Sequence, residues 1–137
     1  MTVCVESESR SVGGVFLPDS FWESMNRSTV IEIQVSKTHR VERLVTDYGS
    51  FEPGLLSDAI LRIQKRLGNE VTRSCLDALE QGRVDLVAAR LLDYYDKSYT
   101  FSREKHKKAA ASKVDCPDGD PRHNADLLIR QANQLSL

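Results

Sequence analysis

The chain has 137 residues, which is the length of one domain and enough to enclose a hydrophobic core. Its formal net charge of −1 argues against a globally basic nucleic-acid binder, although the charge is locally uneven. Three widely spaced cysteines without Cys-x-x-Cys spacing are typical of a reducing cytoplasm, and no apolar run is long enough for a signal peptide or a membrane span.

The first stretch that suggests chemistry follows a short apolar run, Thr2 to Val5, which is predicted to be a β-strand. Ligands of α/β sheets bind beyond the carboxyl ends of strands, so polar side chains just after such a strand are candidates for a site. Carboxylates there can hold a metal-bound water or accept a proton, and a serine with an arginine can bind a phosphate. The candidates are Glu6, Glu8, Ser9 and Arg10. The alternative is a polar β-turn whose acids and arginine satisfy one another in solvent.

A strand and a helix are predicted after a short helix that begins at Pro18-Asp19. Residues 30–35 alternate apolar and polar side chains, which is the period of a strand, and Ser36 stands where a helix N-cap belongs. Arg40 and Arg43 are three residues apart on this second helix and therefore share a face. They are either a pair of phosphate-binding arginines or part of a solvated, salt-bridged face.

Three helical patterns follow between residues 51 and 105, and each has a regular apolar stripe. The first two end at Gly68 and Gly82, and the third is the longest. On the third helix Leu91, Leu92 and Tyr95 are expected to be buried on one face. Tyrosines near its end either pack against the helix or donate a hydroxyl to phosphate or sugar.

The region from residue 106 onward begins within a basic run and is predicted to end in a short strand and a helix. Between Arg103 and Lys113 there are five basic residues against Glu104 alone. The candidates for nucleic-acid contact in this run are Lys105, Lys107 and Lys108. Residues 113–116 are a candidate edge strand, and Asp120-Pro121 is an N-cap followed by proline at the first helical position. The residues of the last helix expected to face inward are Ala125, Leu128, Ile129, Ala132 and Leu135.

The cysteines and histidines form no convergent pattern in the sequence. Cys4 and Cys75 have apolar neighbours and are expected to be small core residues, whereas the sequence does not decide whether Cys116 is a core residue. The three histidines have polar neighbours and are expected on the surface; they are His39, His106 and His123. No metal ligands and no catalytic residues are assigned.

Several motifs, in consistent order from about Val3 to about Tyr99, resemble those of the bacterial tRNA 2-selenouridine synthases. They are Val5-Glu6-Ser7-Glu8-Ser9-Arg10-Ser11-Val12-Gly13, Leu17-Pro18 with Phe21-Trp22 and Met25, Arg40-Val41-Glu42-Arg43-Leu44 with Asp47-Tyr48-Gly49, Arg66-Leu67-Gly68, and Leu91-Leu92-Asp93-Tyr94-Tyr95-Asp96 with Tyr99. The family often has aspartate where Ser7 stands, which leaves Glu6 or Glu8 for any metal role.

The resemblance implies a rhodanese-like domain joined to a P-loop nucleotide-kinase-like domain. Such a protein replaces sulfur by selenium in the wobble 2-thiouridine of tRNA, using selenophosphate and passing through a geranylated intermediate made from geranyl diphosphate. This chain is similar to the final part of the second domain only. No Gly-x-x-x-x-Gly-Lys-Ser/Thr motif occurs in it, and none of its cysteines matches the rhodanese nucleophile.

The expected fold is therefore α/β: a partial P-loop nucleotide-kinase-like parallel sheet of about two to three strands, followed by a mostly helical C-terminal region. Residues 1–137 are expected to form one domain, with a strand and helix part (1–50), a helical part (51–105), and a last part with the basic run, strand and helix (106–137). Two hypotheses remain. The chain is a fragment or split subunit of a tRNA 2-selenouridine synthase that needs a separate chain carrying the rhodanese domain and the phosphate loop, or it is a non-catalytic remnant or tRNA-binding module.

Overall fold

The computed structural model describes residues 3–7, 9–105 and 112–135. The elements in this part of the chain are β1 (Ser11–Val12), β2 (Val15–Phe16), α1 (Asp19–Arg27), β3 (Ile31–Val35), α2 (Lys37–Tyr48), α3 (Pro53–Arg62), α4 (Gln64–Leu67), α5 (Asn69–Glu80), α6 (Val84–Lys105), β4 (Ser112–Cys116) and α7 (Pro121–Gln134). The α/β class, a small parallel sheet and a mostly helical later region are as expected from the sequence.

The main hydrophobic core lies among helices α3 to α6. Its buried members are Ile60, Leu67, Cys75, Ala78, Leu79 and Val87. The helices are separated by glycines with positive φ, +85° at Gly68 and +69° at Gly82, where a residue with a Cβ would be strained. These glycines allow α5 to fold back on α3 and α6 to fold back on α5, so that the apolar stripes meet.

A second, smaller core forms where β3 and β4 pair in parallel. The register places Ile31 opposite Ser112 and Val35 opposite Cys116, so both strands end at the same edge of the sheet. Helix α7 packs against both strands, and Val114 and Cys116 are buried. The candidate edge strand at residues 113–116 is therefore confirmed.

Side-chain caps fix the starts of the helices that follow these two strands. Ser36 Oγ accepts a hydrogen bond from the backbone N–H of His39 at 3.2 Å, which begins α2. The Asp120 carboxylate accepts from the N–H groups of Arg122 and His123 at 2.8 and 3.0 Å, which begins α7. Both caps were expected from the sequence, because each satisfies N–H groups that have no partner within the helix.

The N-terminal region is a hairpin and a helix with little packing of their own. Strands β1 and β2 are antiparallel, and Gly13 occupies their turn with φ +61°. Neither the hairpin nor α1 contains a buried residue, and Phe16 is 72% exposed. The prediction of a strand ending at Val5 is wrong, because residues 3–7 pair with no strand in the described chain. A short apolar run becomes a strand only where an adjacent strand takes up its backbone hydrogen bonds.

Two details of the helical region differ from expectation. The stripe up to Leu67 was predicted as one helix, but the chain turns at Ile63, whose N–H bonds to the Ile60 carbonyl at 3.2 Å. Ile60, Ile63 and Leu67 all pack in the same core across this tight turn. The helical spacing of apolar residues therefore did not reveal that the helix is interrupted. Tyr95 was expected to be buried but is 57% exposed, whereas Tyr94 packs on the core. Helix α6 has 22 residues and α5 only 12, so the later turns of α6 extend beyond the helix that covers its first half.

Two further expectations of burial are wrong. On α7, Ala132 is buried, but Ala125 is exposed and Ile129 is 56% exposed, because α7 covers only a two-stranded sheet. Cys4 was expected in a core and is exposed, since the described residues around it, 3–7, form no strand. Cys75 and Cys116 are buried, and burial raises the pKa of both thiols.

Candidate phosphate and nucleic-acid interface

The candidate residues of the opening stretch lie on the hairpin and on the segment before it. The Arg10 guanidinium donates to the Asp19 carboxylate, which ties the hairpin to the start of α1. Ser9 Oγ donates to the backbone carbonyl of Ser11 at 2.6 Å, and Glu6 is exposed. Glu8 lies outside the described residues. A phosphate that bound Arg10 would therefore compete with Asp19 for the guanidinium.

Arg40 bridges two motifs that are far apart in the sequence. Its guanidinium donates to both carboxylate oxygens of Asp96 on α6, at 3.0 and 2.7 Å. One turn earlier on α2, Lys37 Nζ donates to Asp93 at 2.6 Å. The hydrogen bonds from Arg40, together with the charges of Arg40 and Lys37, lower the pKa of Asp96. These two ion pairs, here called the α2–α6 charge ladder, attach the start of α2 to the middle of α6.

Arg43 has a different partner from Arg40. Its Nε donates to Asp47 on the same helix at 2.9 Å, the usual spacing of an i, i+4 pair. Arg10, Arg40 and Arg43 are thus bound by carboxylates on three different helices: α1, α6 and α2. The structure brings Arg40 to the α2–α6 charge ladder and does not place the three arginines around one shared partner.

A polar cluster that sequence reasoning missed lies at the carboxyl edge of the β3–β4 pair. His123 Nδ1 is 2.8 Å from the Asp118 carboxylate, and Gly119 lies against His39 at the start of α2. The pKa of Asp118 is lowered by the His123 hydrogen bond, by the backbone N–H of Asp120, and by the charges of His123 and His39. Residues of β3 and β4 are about eighty positions apart, so nothing local in the sequence showed that the two predicted strands pair.

The candidate nucleic-acid residues extend from the end of α6. Lys105 is the last residue of α6, whereas Lys107 and Lys108 lie outside the described residues. The part of α6 before them is open to solvent, with Tyr95, Tyr99 and Phe101 exposed by 57%, 52% and 70%. Beside them is an open groove of about 370 Å³, lined by Asp96, Lys97, Thr100 and Phe101.

Metal and membrane features were sought in the same part of the chain. Among the described residues, no three His, Cys, Asp or Glu side chains come together as a metal-binding group. None of the described helices combines the length and apolar character needed to cross a bilayer.

A parallel strand pair with a helix leaving each strand end is the arrangement of α/β proteins that bind ligands at that edge. The family model for the "tRNA 2-selenouridine synthase AAA domain" matches residues 1–52. The chain is 34% identical to the tRNA 2-selenouridine synthase of Pseudomonas syringae pv. tomato and 30% identical to that of Cupriavidus pinatubonensis, over 77% and 74% of its length. It is 25% identical to that of Psychromonas ingrahamii over 76% of its length.

The chain is therefore related to the tRNA 2-selenouridine synthases, and the resemblance drawn from its motifs is confirmed. It spans about a third of the length of these curated relatives, since each alignment covers 36% of the relative. No solved structure matches the chain with significance.

Proposed function

We propose that this chain supplies the C-terminal part of a tRNA 2-selenouridine synthase. The observation that carries the proposal is the match of residues 1–52 to the AAA domain of that family. This range includes the candidate strand-end residues, β3, and the helix that bears Arg40 and Arg43. In the assembled enzyme the parallel pair is part of a larger P-loop nucleotide-kinase-like sheet, and residues 51–105 and 106–137 complete the same domain.

The proposed reaction replaces sulfur by selenium in the wobble 2-thiouridine of tRNA, with geranyl diphosphate and selenophosphate as co-substrates. The proposed substrate-binding residues lie in the first part of the chain: Ser9, Arg10, Arg40 and Arg43 donate to phosphate oxygens, and Glu6 and Glu8 hold a metal-bound water or accept a proton. Lys105, Lys107 and Lys108 contact the tRNA backbone, where each neutralised phosphate releases counterions. The sequence contains neither a phosphate loop nor the rhodanese cysteine motif, and the proposal assigns both to a separate chain.

The proposal is tested by restoring the upstream segments in a strain that lacks 2-selenouridine synthase. One plasmid carries this chain and another carries the preceding segments of the Pseudomonas syringae relative; nucleosides from bulk tRNA are then analysed by mass spectrometry. We expect 2-selenouridine only when both plasmids are present, since this sequence has no phosphate-loop motif whose backbone N–H groups would stabilise developing phosphate charge. Product from the chain alone, or no product from the pair when both proteins accumulate, would contradict the proposal.

Arg10→Lys in the paired system tests whether the opening stretch is a phosphate site. Lysine keeps the charge and loses the bidentate geometry, so product yield should fall about ten- to hundredfold if Arg10 binds a phosphate. The ion pair with Asp19 is exposed, so stability should hardly change. Arg27→Lys is the matched control, because Arg27 makes an exposed pair with Glu23 on α1. Equal yields for Arg10→Lys and Arg27→Lys would assign Arg10 to an ordinary polar turn.

The alternative is a tRNA-binding module without turnover. The observation in its favour is that Arg10, Arg40 and Arg43 are each bound by a carboxylate of this chain. Such a module would bind tRNA, and the paired system would form no product.

A further inference from the structure

We propose that Tyr95 and Tyr99 of α6, here called the tyrosine face, bind unpaired bases of RNA by stacking. The inference rests on the proposed function, which makes tRNA the partner. It adds the surface that holds the bases and the part of the RNA that is recognised. The basic run, by contrast, would contact the phosphates of any RNA.

The tyrosine face has the geometry of a small stacking platform. Its two residues are four apart on one helix, so they lie on the same side one turn apart, and they are 57% and 52% exposed. The Tyr95 and Tyr94 rings are in an edge-to-face contact with centroids 5.5 Å apart, and Tyr94 itself packs on the core. Tyr95 is thereby supported by a half-buried neighbour, which reduces the rotamer entropy lost on binding.

Charge around the tyrosine face suits a polyanion. The nearest carboxylates on α6, Asp93 and Asp96, are bound by Lys37 and Arg40 of the α2–α6 charge ladder. From residue 97 to the end of α6 at residue 105 the sequence has three cations, Lys97, Arg103 and Lys105, against Glu104 alone. Asp93 and Asp96 are therefore compensated, and cations outnumber acids toward the C-terminus of the helix.

Exposed aromatic rings discriminate between paired and unpaired nucleic acid. In a duplex the faces of the bases are covered by their neighbours, whereas loop bases present a face that an aromatic side chain can cover. An apolar partner protein would fit this surface less well, because Lys97 would have to lose its solvation against it.

The experiment compares two RNA probes with the full chain. One is a stem–loop with an unpaired loop and the other is a fully paired duplex of equal length, both followed by fluorescence anisotropy at constant salt. We expect tighter binding of the stem–loop. Tyr95→Ala with Tyr99→Ala should weaken stem–loop binding about five- to hundredfold per stacked base and leave duplex binding unchanged. Tyr→Phe at both positions should retain the preference, because the ring is what stacks.

Two further variants keep the result interpretable. Tyr95→Leu retains an apolar, helix-compatible side chain without a π face and should lose the preference as alanine does. Tyr48→Ala, which removes an exposed tyrosine of α2, should leave it intact. The dependence of affinity on salt should be the same for wild type and the alanine variant, because tyrosine neutralises no phosphate.

The outcomes separate this inference from the proposed function. Unchanged stem–loop affinity in the alanine variant, or an equal loss for stem–loop and duplex, would overturn stacking and leave tRNA binding in place. Absence of binding to either RNA by the wild-type chain would overturn both. Loss of association with the upstream segments rather than with RNA would identify the tyrosine face as a protein interface and also overturn the inference.

Discussion

The ion pair between Arg40 and Asp96 should stabilise the fold by about 1 kcal/mol, measured as the coupling between Arg40→Ala and Asp96→Ala in a double-mutant cycle. The side chains are 34% and 50% exposed, so solvent screens their attraction, and exposed pairs contribute about 0.2 to 1 kcal/mol. Two parallel hydrogen bonds of 3.0 and 2.7 Å place this pair at the upper end of the range.

The assay is urea unfolding of the wild-type chain, the two single variants and the double variant, at low salt and at high salt. High salt should reduce the coupling, because the charges are partly exposed. The hydrogen bonds from Arg40 lower the pKa of Asp96 in the folded state, so the stabilisation is present above the unfolded-state pKa, about 4. It should be lost as the pH falls through the lower folded-state pKa. The pair of Arg43 with Asp47 is the control, with an expected coupling of about 0.3 to 0.5 kcal/mol.

A coupling at or below that of the control would refute this reasoning. So would a coupling that grows with salt or that disappears when the pH is raised from 5 to 7. In either case the Arg40–Asp96 pair would contribute nothing to the attachment of α2 to α6 beyond an ordinary exposed pair, and a phosphate could take Arg40 from Asp96 at little cost in stability.

Three other predictions concern the core, a helix cap and the thiols. Ile60→Ala should lower the free energy of unfolding by about 2 to 5 kcal/mol in urea titrations, because Ile60 is 3% exposed, whereas Leu61→Ala, on the 46% exposed neighbour, should cost far less. Asp120→Ala should cost about 0.5 to 2 kcal/mol in the same assay, and Asn at this position should recover much of it, since an amide oxygen also accepts from the first helical N–H groups. Mass mapping after brief treatment with a thiol reagent should find Cys4 modified and Cys75 protected until the chain unfolds; equal modification of both would contradict the burial described.

Much of the helical fold could be predicted from the sequence, because its causes are local. Apolar residues at helical spacing, glycines that accept positive φ, and caps such as Ser36 and Asp120 act over a few residues, so their pattern is visible in the chain. The same holds for β3, because the alternation of apolar and polar side chains that predicts a strand is a property of a few neighbouring residues.

What only the tertiary structure decided depends on residues that are distant in sequence. Arg40 was correctly predicted to lie on a helix after a strand, but its partner Asp96 is 56 residues away. The burial of Tyr94 instead of Tyr95 depended on where the covering helices end, and the exposure of Cys4 depended on the lack of an adjacent strand in the described chain. Periodicity determines which face of an element is apolar, whereas the length and position of the neighbouring element determine how much of that face is covered. For the same reason the cluster of His39, Asp118 and His123 could not be predicted: it exists because β3 and β4 end in register, and that pairing is a property of the folded chain.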